Sequence, residues 1–275
     1  MLAFLEPLEE LADYQEIVRK RGKAEGILQI AGCVSSQTHL MYALGDGFEY
    51  RVIVFSSEEK AKQAYEEYKM LEENTFLYPA KDLLFYHADI KGAALTGKRM
   101  EVLKKLTEKK NREPVTVITT ADAFLDGLPS KEKLWESRIE IEAGAVIDFQ
   151  KLQEELVHLG YERESQIEGP GQFAVRGGIL DVYPLTEEIP VRIELWGDEI
   201  DSIRSFDVES QRSVENMEQV VIYPATENVE KEEQAVSFAE YFPKEKSLFF
   251  FDEHHKKSDQ KKHTGNPYGS HAENC

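Results

Sequence analysis

The sequence is poor in cysteine, in basic residues and in long apolar runs. Cys33 and Cys275 are its two cysteines among 275 residues. They are too few for a disulfide framework, and neither has a second ligand at metal-binding spacing. No run of about 18 apolar residues is present, and no basic leader precedes an apolar stretch, so the sequence predicts neither a membrane span nor a signal peptide and reads as cytoplasmic. Lysine and arginine number 33 against 52 aspartates and glutamates, a net charge of −19. That deficit argues against general duplex-DNA binding, which needs a basic face to displace condensed counterions.

The deficit is uneven. Residues 1–137 carry 19 basic and 23 acidic side chains, a net of −4, whereas residues 138–250 carry 10 and 25, a net of −15. The difference predicts two units with different surfaces. Since 41% of the chain is hydrophobic and 10% aromatic, most of it is expected to fold.

In the first unit, apolar residues at Leu8, Leu11 and Val18 have helical spacing. Ile27–Ala31 reads as a buried strand, followed by Gly32, a polar turn and a helical run over Thr38–Leu44. Arg51–Phe55 is apolar without alternation after its arginine, which predicts a strand covered on both faces. Ser57 is placed to cap a helix over Glu58–Leu71. Thr75–Tyr78 and Val115–Thr120 read as strands, with a helix over Gly97–Lys109 between them. This alternation predicts a parallel sheet with crossover helices.

After residue 137 the pattern changes. Arg138–Ile147 reads as a strand and turn. Asp148 is placed to cap a helix carrying Leu152, Leu156 and Leu159 and ended by Gly160. Short segments follow at Gln172–Val175, Gly178–Tyr183, Val191–Trp196, Glu199–Phe206 and Val220–Tyr223, with Gly197-Asp198 as a hairpin turn. An α+β unit with an antiparallel sheet is expected over 138–226. Residues 227–236 read as an acidic linker or helix start. Leu248–Phe251 reads as a buried strand with no successor beside it. Residues 253–275 are polar, contain four of the seven histidines, and are expected to be a disordered or non-native tail; their irregular spacing makes a poor metal site.

Strand, glycine, polar turn and helix is the geometry of a phosphate-binding loop. Such a loop needs a lysine for the outer phosphates and a hydroxyl for magnesium. In Gly32-Cys33-Val34-Ser35-Ser36-Gln37-Thr38-His39 only the first glycine fits. Thr38 stands where the lysine belongs and His39 where the hydroxyl belongs. Gly32, Ser35, Ser36, Thr38 and His39 are therefore expected to form a degenerate loop that does not bind nucleotide. Asp252-Glu253 at a strand end has the look of magnesium-coordinating acids, read here as a remnant. No catalytic acid, base or nucleophile stands out.

A different signal comes from Val191–Trp196, which alternates strictly. Val191, Ile193 and Leu195 should face the core, leaving Arg192, Glu194 and Trp196 on the other side. Trp and Arg are the types most enriched at interface hot spots; alternatively Trp196 covers a hairpin or packs under a helix, and an arginine here serves a specific acidic partner group or an ordinary cross-strand ion pair with Glu194. Arg176, in Phe173-Ala174-Val175-Arg176, is set to point away from Phe173. Gly177-Gly178 permits a bulge.

The stretch Glu168-Gly169-Pro170-Gly171-Gln172-Phe173-Ala174-Val175-Arg176-Gly177-Gly178-Ile179-Leu180-Asp181-Val182-Tyr183-Pro184, with Pro190–Asp207 and Ser210-Gln211-Arg212-Ser213, resembles the Mfd family of bacterial transcription-repair coupling factors and, more distantly, UvrB. Tyr78-Pro79-Ala80-Lys81-Asp82 favours the former. The resemblance runs from about residue 1 to residue 252 and implies the N-terminal module of a much longer protein. It implies a P-loop-like α/β domain without a working phosphate loop, into which an α+β domain like the UvrA-binding domain of UvrB is inserted, with 227–252 returning to the first domain. It also implies that Arg176, Arg192 and Trp196 contact UvrA, and that a distant C-terminal domain covers this surface in the intact family protein. The motor using ATP and magnesium, and the regions that engage DNA and RNA polymerase, belong downstream, so neither cofactor nor catalysis is expected of this chain. The alternative reading is a nucleotide-dependent helicase or ATPase fragment working through the Gly32 turn with Asp252 and Glu253.

Overall fold

A computed structural model describes residues 5–21, 30, 37–81, 89–108, 113–227 and 235–252. The expected strand at 27–31 (apart from Ile30), Gly32, Ser35, Ser36, Glu253 and the 253–275 tail lie outside these residues.

The chain begins with α1 (Glu6–Glu9), α2 (Ala12–Arg21) and α3 (Gln37–Leu44). Then come β1 (Tyr50–Phe55), α4 (Glu58–Lys69), β2 (Thr75–Tyr78), α5 (Asp89–Glu108), β3 (Val115–Thr120), α6 (Ala121–Phe124), β4 (Gly127–Leu128) and α7 (Lys131–Glu136). The single helix suggested by Leu8–Val18 is two, because the turn at Glu10-Leu11 separates them. Ser57 caps α4 by accepting from the Lys60 amide at 3.4 Å.

The middle of the chain forms β5 (Ile139–Glu142), α8 (Phe149–His158), β6 (Glu162–Glu164), β7 (Gln172–Arg176), β8 (Ile179–Val182), β9 (Val191–Trp196), β10 (Glu199–Phe206), β11 (Ser213–Met217) and β12 (Gln219–Ile222). β13 (Val236–Ser237) and β14 (Ser247–Phe251) complete the chain.

Four strands make a parallel sheet in the order β14-β1-β3-β2. The last strand packs beside an earlier strand, not a successor. β14 lies parallel to β1, with Ser247 opposite Tyr50. The chain thus leaves this sheet after β3, builds a second sheet, and comes back.

β1 shows why its sequence does not alternate. Val52 and Val54 face a core with Met100, Leu103 and Leu106 of α5. Ile53 and Phe55 face the opposite side, against Met41 of α3 and Ala61, Ala64 and Tyr68 of α4. Both faces of the sheet are covered, as parallel sheets require.

The second sheet has six strands in the order β11-β10-β9-β8-β7-β6. Its pairs are antiparallel except for β6 and β7, which run parallel, a departure from the wholly antiparallel expectation. β12 pairs with β5 in a separate two-stranded ribbon. One face of the large sheet is the core of this unit: Phe173, Leu180, Val182, Val191, Ile193, Ile200 and Ile203 pack with Leu152 and Leu156 of α8. Asp148 caps α8 by accepting from the amides of Gln150 and Lys151, both at 3.0 Å. Asp148→Ala should lower stability by about 1 kcal/mol in urea unfolding; no change would mean that this cap contributes nothing.

Helix α5 joins the two sheets. Lys104 meets Glu187 at 2.7 Å, and the Tyr223 hydroxyl bonds Glu108 at 2.8 Å. Deeper, Glu227 accepts from Arg99 at 2.7 and 2.8 Å. Glu227 is therefore a buried ion-pair partner rather than part of an exposed acidic linker. Lys81 adds a contact to it at 3.3 Å, and Asp126 lies 2.9 Å from Arg99.

Candidate docking face

The face of the six-stranded sheet opposite α8 is built by residues that alternate with the core set. β9 places Arg192, Glu194 and Trp196 there, and register puts Asp181 of β8 and Arg204 of β10 beside Arg192. Arg176 of β7 stands opposite Ile179, which in turn faces Glu194. The side-chain segregation read from the sequence is the one observed: Val191 and Ile193 are buried, and Trp196 is 84% exposed.

Gly177-Gly178 does not form the bulge that the sequence allowed. The pair makes the two-residue turn between β7 and β8, with Arg176 opposite Ile179 and Gly177 at φ +63°. That turn needs a backbone available without strain only to glycine. The register shifts lie instead in β10, between Ile200 and Ser202 beside the Gly197-Asp198 hairpin and between Ser205 and Phe206.

The arginines do not pair with Glu194. Glu194 is taken by Arg204. Arg176 and Arg192 converge on Asp181, whose side chain is 3% exposed. Arg192 donates through Nε to Oδ1 at 2.6 Å and through Nη2 to Oδ2 at 2.9 Å. Arg176 donates through Nη2 to Oδ2 at 2.6 Å. One carboxylate therefore serves two guanidinium groups, which leaves one positive charge in excess on this trio. Bonding to Asp181 holds the Arg192 guanidinium above its ordinary pKa, against the opposing effect of burial.

Sequence reading missed Asp181 and Gln211. Asp181 sits in Ile179-Leu180-Asp181-Val182, where an acid inside an apolar run signals a partner. Gln211 accepts from Arg192 Nη2 at 2.8 Å. The Phe206 ring lies beneath the Arg192 guanidinium, 4.3 Å from its centroid. Arg192 is thereby fixed on one flat side and along its inner edge, with 15% of its side chain exposed, whereas Arg176 is 46% exposed.

The nucleotide-loop residues give no comparable assembly among the described residues. Thr38 and His39 lie in the first turn of α3. The Thr38 hydroxyl donates to Glu67 of α4 at 2.6 Å, and this bond, with one from Gln63, holds the Glu67 carboxyl below its usual pKa. Asp252 pairs with Lys60 at 2.8 Å. Among the described residues no group of three His, Cys, Asp or Glu side chains could hold a metal, and no helix is long and apolar enough to cross a membrane.

Residues 139–228, which contain the whole of this face, match the UvrB interaction domain family. The chain is also 38% identical over 161 residues to the transcription-repair-coupling factor of Bacillus subtilis (strain 168). The protein of that name from Staphylococcus aureus (strain bovine RF122 / ET3-1) is 35% identical over 162 residues, and that from Staphylococcus haemolyticus (strain JCSC1435) 36% over 155 residues. The aligned part covers 56–58% of this chain and 13% of each relative. The matched stretch includes Arg176, Arg192 and Trp196, and the Asp181 and Gln211 side chains that the structure adds.

Proposed function

We propose that this chain is a recruitment module of transcription-coupled DNA repair, which docks UvrA through Arg176, Arg192 and Trp196 without turning over a substrate. The observation that carries the reading is the exposed indole of Trp196 on the same sheet face as two arginines anchored to one buried carboxylate. Trp and Arg are the residue types that concentrate binding energy at interfaces. The resemblance to transcription-repair coupling factors supplies the identity of the partner.

The Gly32–His39 loop supports no nucleotide chemistry in this reading. Its missing lysine leaves no fixed cation for the outer phosphates. ATP-driven translocation, magnesium binding and contacts with DNA and RNA polymerase belong to other parts of the longer family protein, and an intramolecular contact with a C-terminal domain would keep this face covered until it is needed. Immobilised chain should retain purified UvrA from solution, and the triple variant Arg176→Ala/Arg192→Ala/Trp196→Ala should not. Equal retention by the two would remove the proposal. Heat released on titration with Mg-ATP at submillimolar concentration would favour the nucleotide-dependent alternative.

A further inference from the structure

Gln211 is the one non-glycine among the described residues with a positive φ, at 59°. A left-handed backbone is disfavoured for a residue that bears a side chain. Strain of this sort persists where surrounding structure holds it, and it clusters at functional positions. The loop 207–212 shows how the strain is held. Asp207 accepts from the Ser210 amide at 2.8 Å and exchanges backbone bonds with Gln211 and Arg212 at 2.9 and 3.0 Å. The Gln211 amide group then spans two elements. Its Nε2 donates to the Val208 carbonyl and its Oε1 accepts from Arg192, both at 2.8 Å.

Each constraint on Arg192 comes from a different part of the chain. Asp181 of β8 takes Nε and Nη2, Gln211 of the loop takes Nη2, and Phe206 at the end of β10 supports the flat face. Among the described residues, Nη1 of Arg192 makes no hydrogen bond, nor do Nε and Nη1 of Arg176. Their unused donors are those left for an external acceptor. A free arginine would lose rotamer freedom on docking; one already held loses less.

We propose that Asp181 and Gln211 are positioning residues, which hold Arg192, and through Asp181 also Arg176, in the orientation used for docking. The inference rests on the reading of this face as the UvrA-binding surface. It adds that part of the affinity comes from side chains that do not touch the partner.

Asp181→Ala is a poor test, because it strips the shared anion from two guanidinium groups and so mixes an effect on folding with one on docking. Gln211→Gly is decisive. Glycine adopts φ near +59° without strain, so the melting temperature should hold or rise. Arg192 loses one of its anchors. Nitrogen-15 relaxation of its Nε–H should show lower order in the free variant, and calorimetry should show UvrA affinity weakened about threefold to tenfold. A purely structural role predicts that affinity follows stability, whereas here the two separate. Unchanged Arg192 order overturns the inference. So does unchanged affinity, where the unaltered chain binds UvrA and Arg192→Ala does not. If the unaltered chain fails to bind UvrA at all, the docking reading falls first and the inference with it.

Discussion

Trp196→Ala should weaken UvrA binding by about 30-fold or more, equivalent to about 2 kcal/mol, while leaving the melting temperature unchanged. The indole sits at the end of β9, 84% exposed, so its removal deletes little of the protein's own packing. Its value lies in contacts made on docking, where a large rigid aromatic surface is covered at small entropic cost. Arg192→Ala should also weaken binding by about 2 kcal/mol, but it should lower stability as well. It leaves Asp181, 3% exposed, with Arg176 as its remaining cationic partner. Arg176→Ala should cost less stability than Arg192→Ala, since Arg176 is 46% exposed and gives Asp181 one hydrogen bond. Isothermal titration with UvrA, paired with thermal melts, separates the three. Affinities within twofold of the unaltered protein for all of them would contradict the assignment.

The largest effect on stability is expected away from this face. Arg99→Met should destabilise the protein by about 3–5 kcal/mol in urea unfolding. Arg99 is 1% exposed and stands between Glu227 and Asp126, with its guanidinium 4.2 Å above the centroid of Tyr78 and a further bond to the Pro79 carbonyl. Burial opposes its charge, but the bonds to Glu227 more than offset this and raise its pKa. Removing the cation leaves a carboxylate that is itself 4% exposed with the longer, 3.3 Å contact to Lys81 in place of two close guanidinium bonds. Arg99→Met/Glu227→Met should recover most of the loss, because a buried ion pair and a packed apolar pair of similar volume differ little. A single variant within 1 kcal/mol of the unaltered protein would show that the pair is dispensable. Glu227 follows β12 and Arg99 lies on α5, so the same pair also fixes where the chain returns towards the parallel sheet.

Much of this arrangement could be read from residue order alone. β9 and β10 fall where period-two alternation and the Gly197-Asp198 turn put them, because one covered face makes strand periodicity explicit. The caps Ser57 and Asp148 were legible because a short polar side chain before an apolar-periodic run has few other uses. β6 and β11 were not legible. Their residues are almost all exposed, so no apolar pattern marks them, and pairing to the neighbouring strand defines them. The start of α5 was placed too late because its sequence lacks a sharp amphipathic signal. At the docking face, the sequence separated Trp196 and Arg192 from the core side but offered Glu194 as the alternative ion-pair partner, where the structure has Asp181. Glu194 is two positions from Arg192 on its own strand, whereas Asp181 reaches it across the ladder, and register is a tertiary fact. Gln211 carried no signal at all, since its left-handed backbone and its bond to Arg192 arise only once the loop is closed.

The central claim is that the Trp196 indole is covered by UvrA. The chain offers its own reference, because its other tryptophan, Trp135 on α7, is already stacked on the Arg138 guanidinium at 3.4 Å. Fluorine-19 spectra of 5-fluorotryptophan-labelled protein resolve the two positions, with Trp196→Phe assigning the signals. On adding unlabelled UvrA, the Trp196 resonance should change chemical shift and lose its solvent-isotope sensitivity, while the Trp135 resonance broadens without moving. A Trp196 signal that keeps its shift and its full solvent sensitivity in the presence of saturating UvrA would contradict the account.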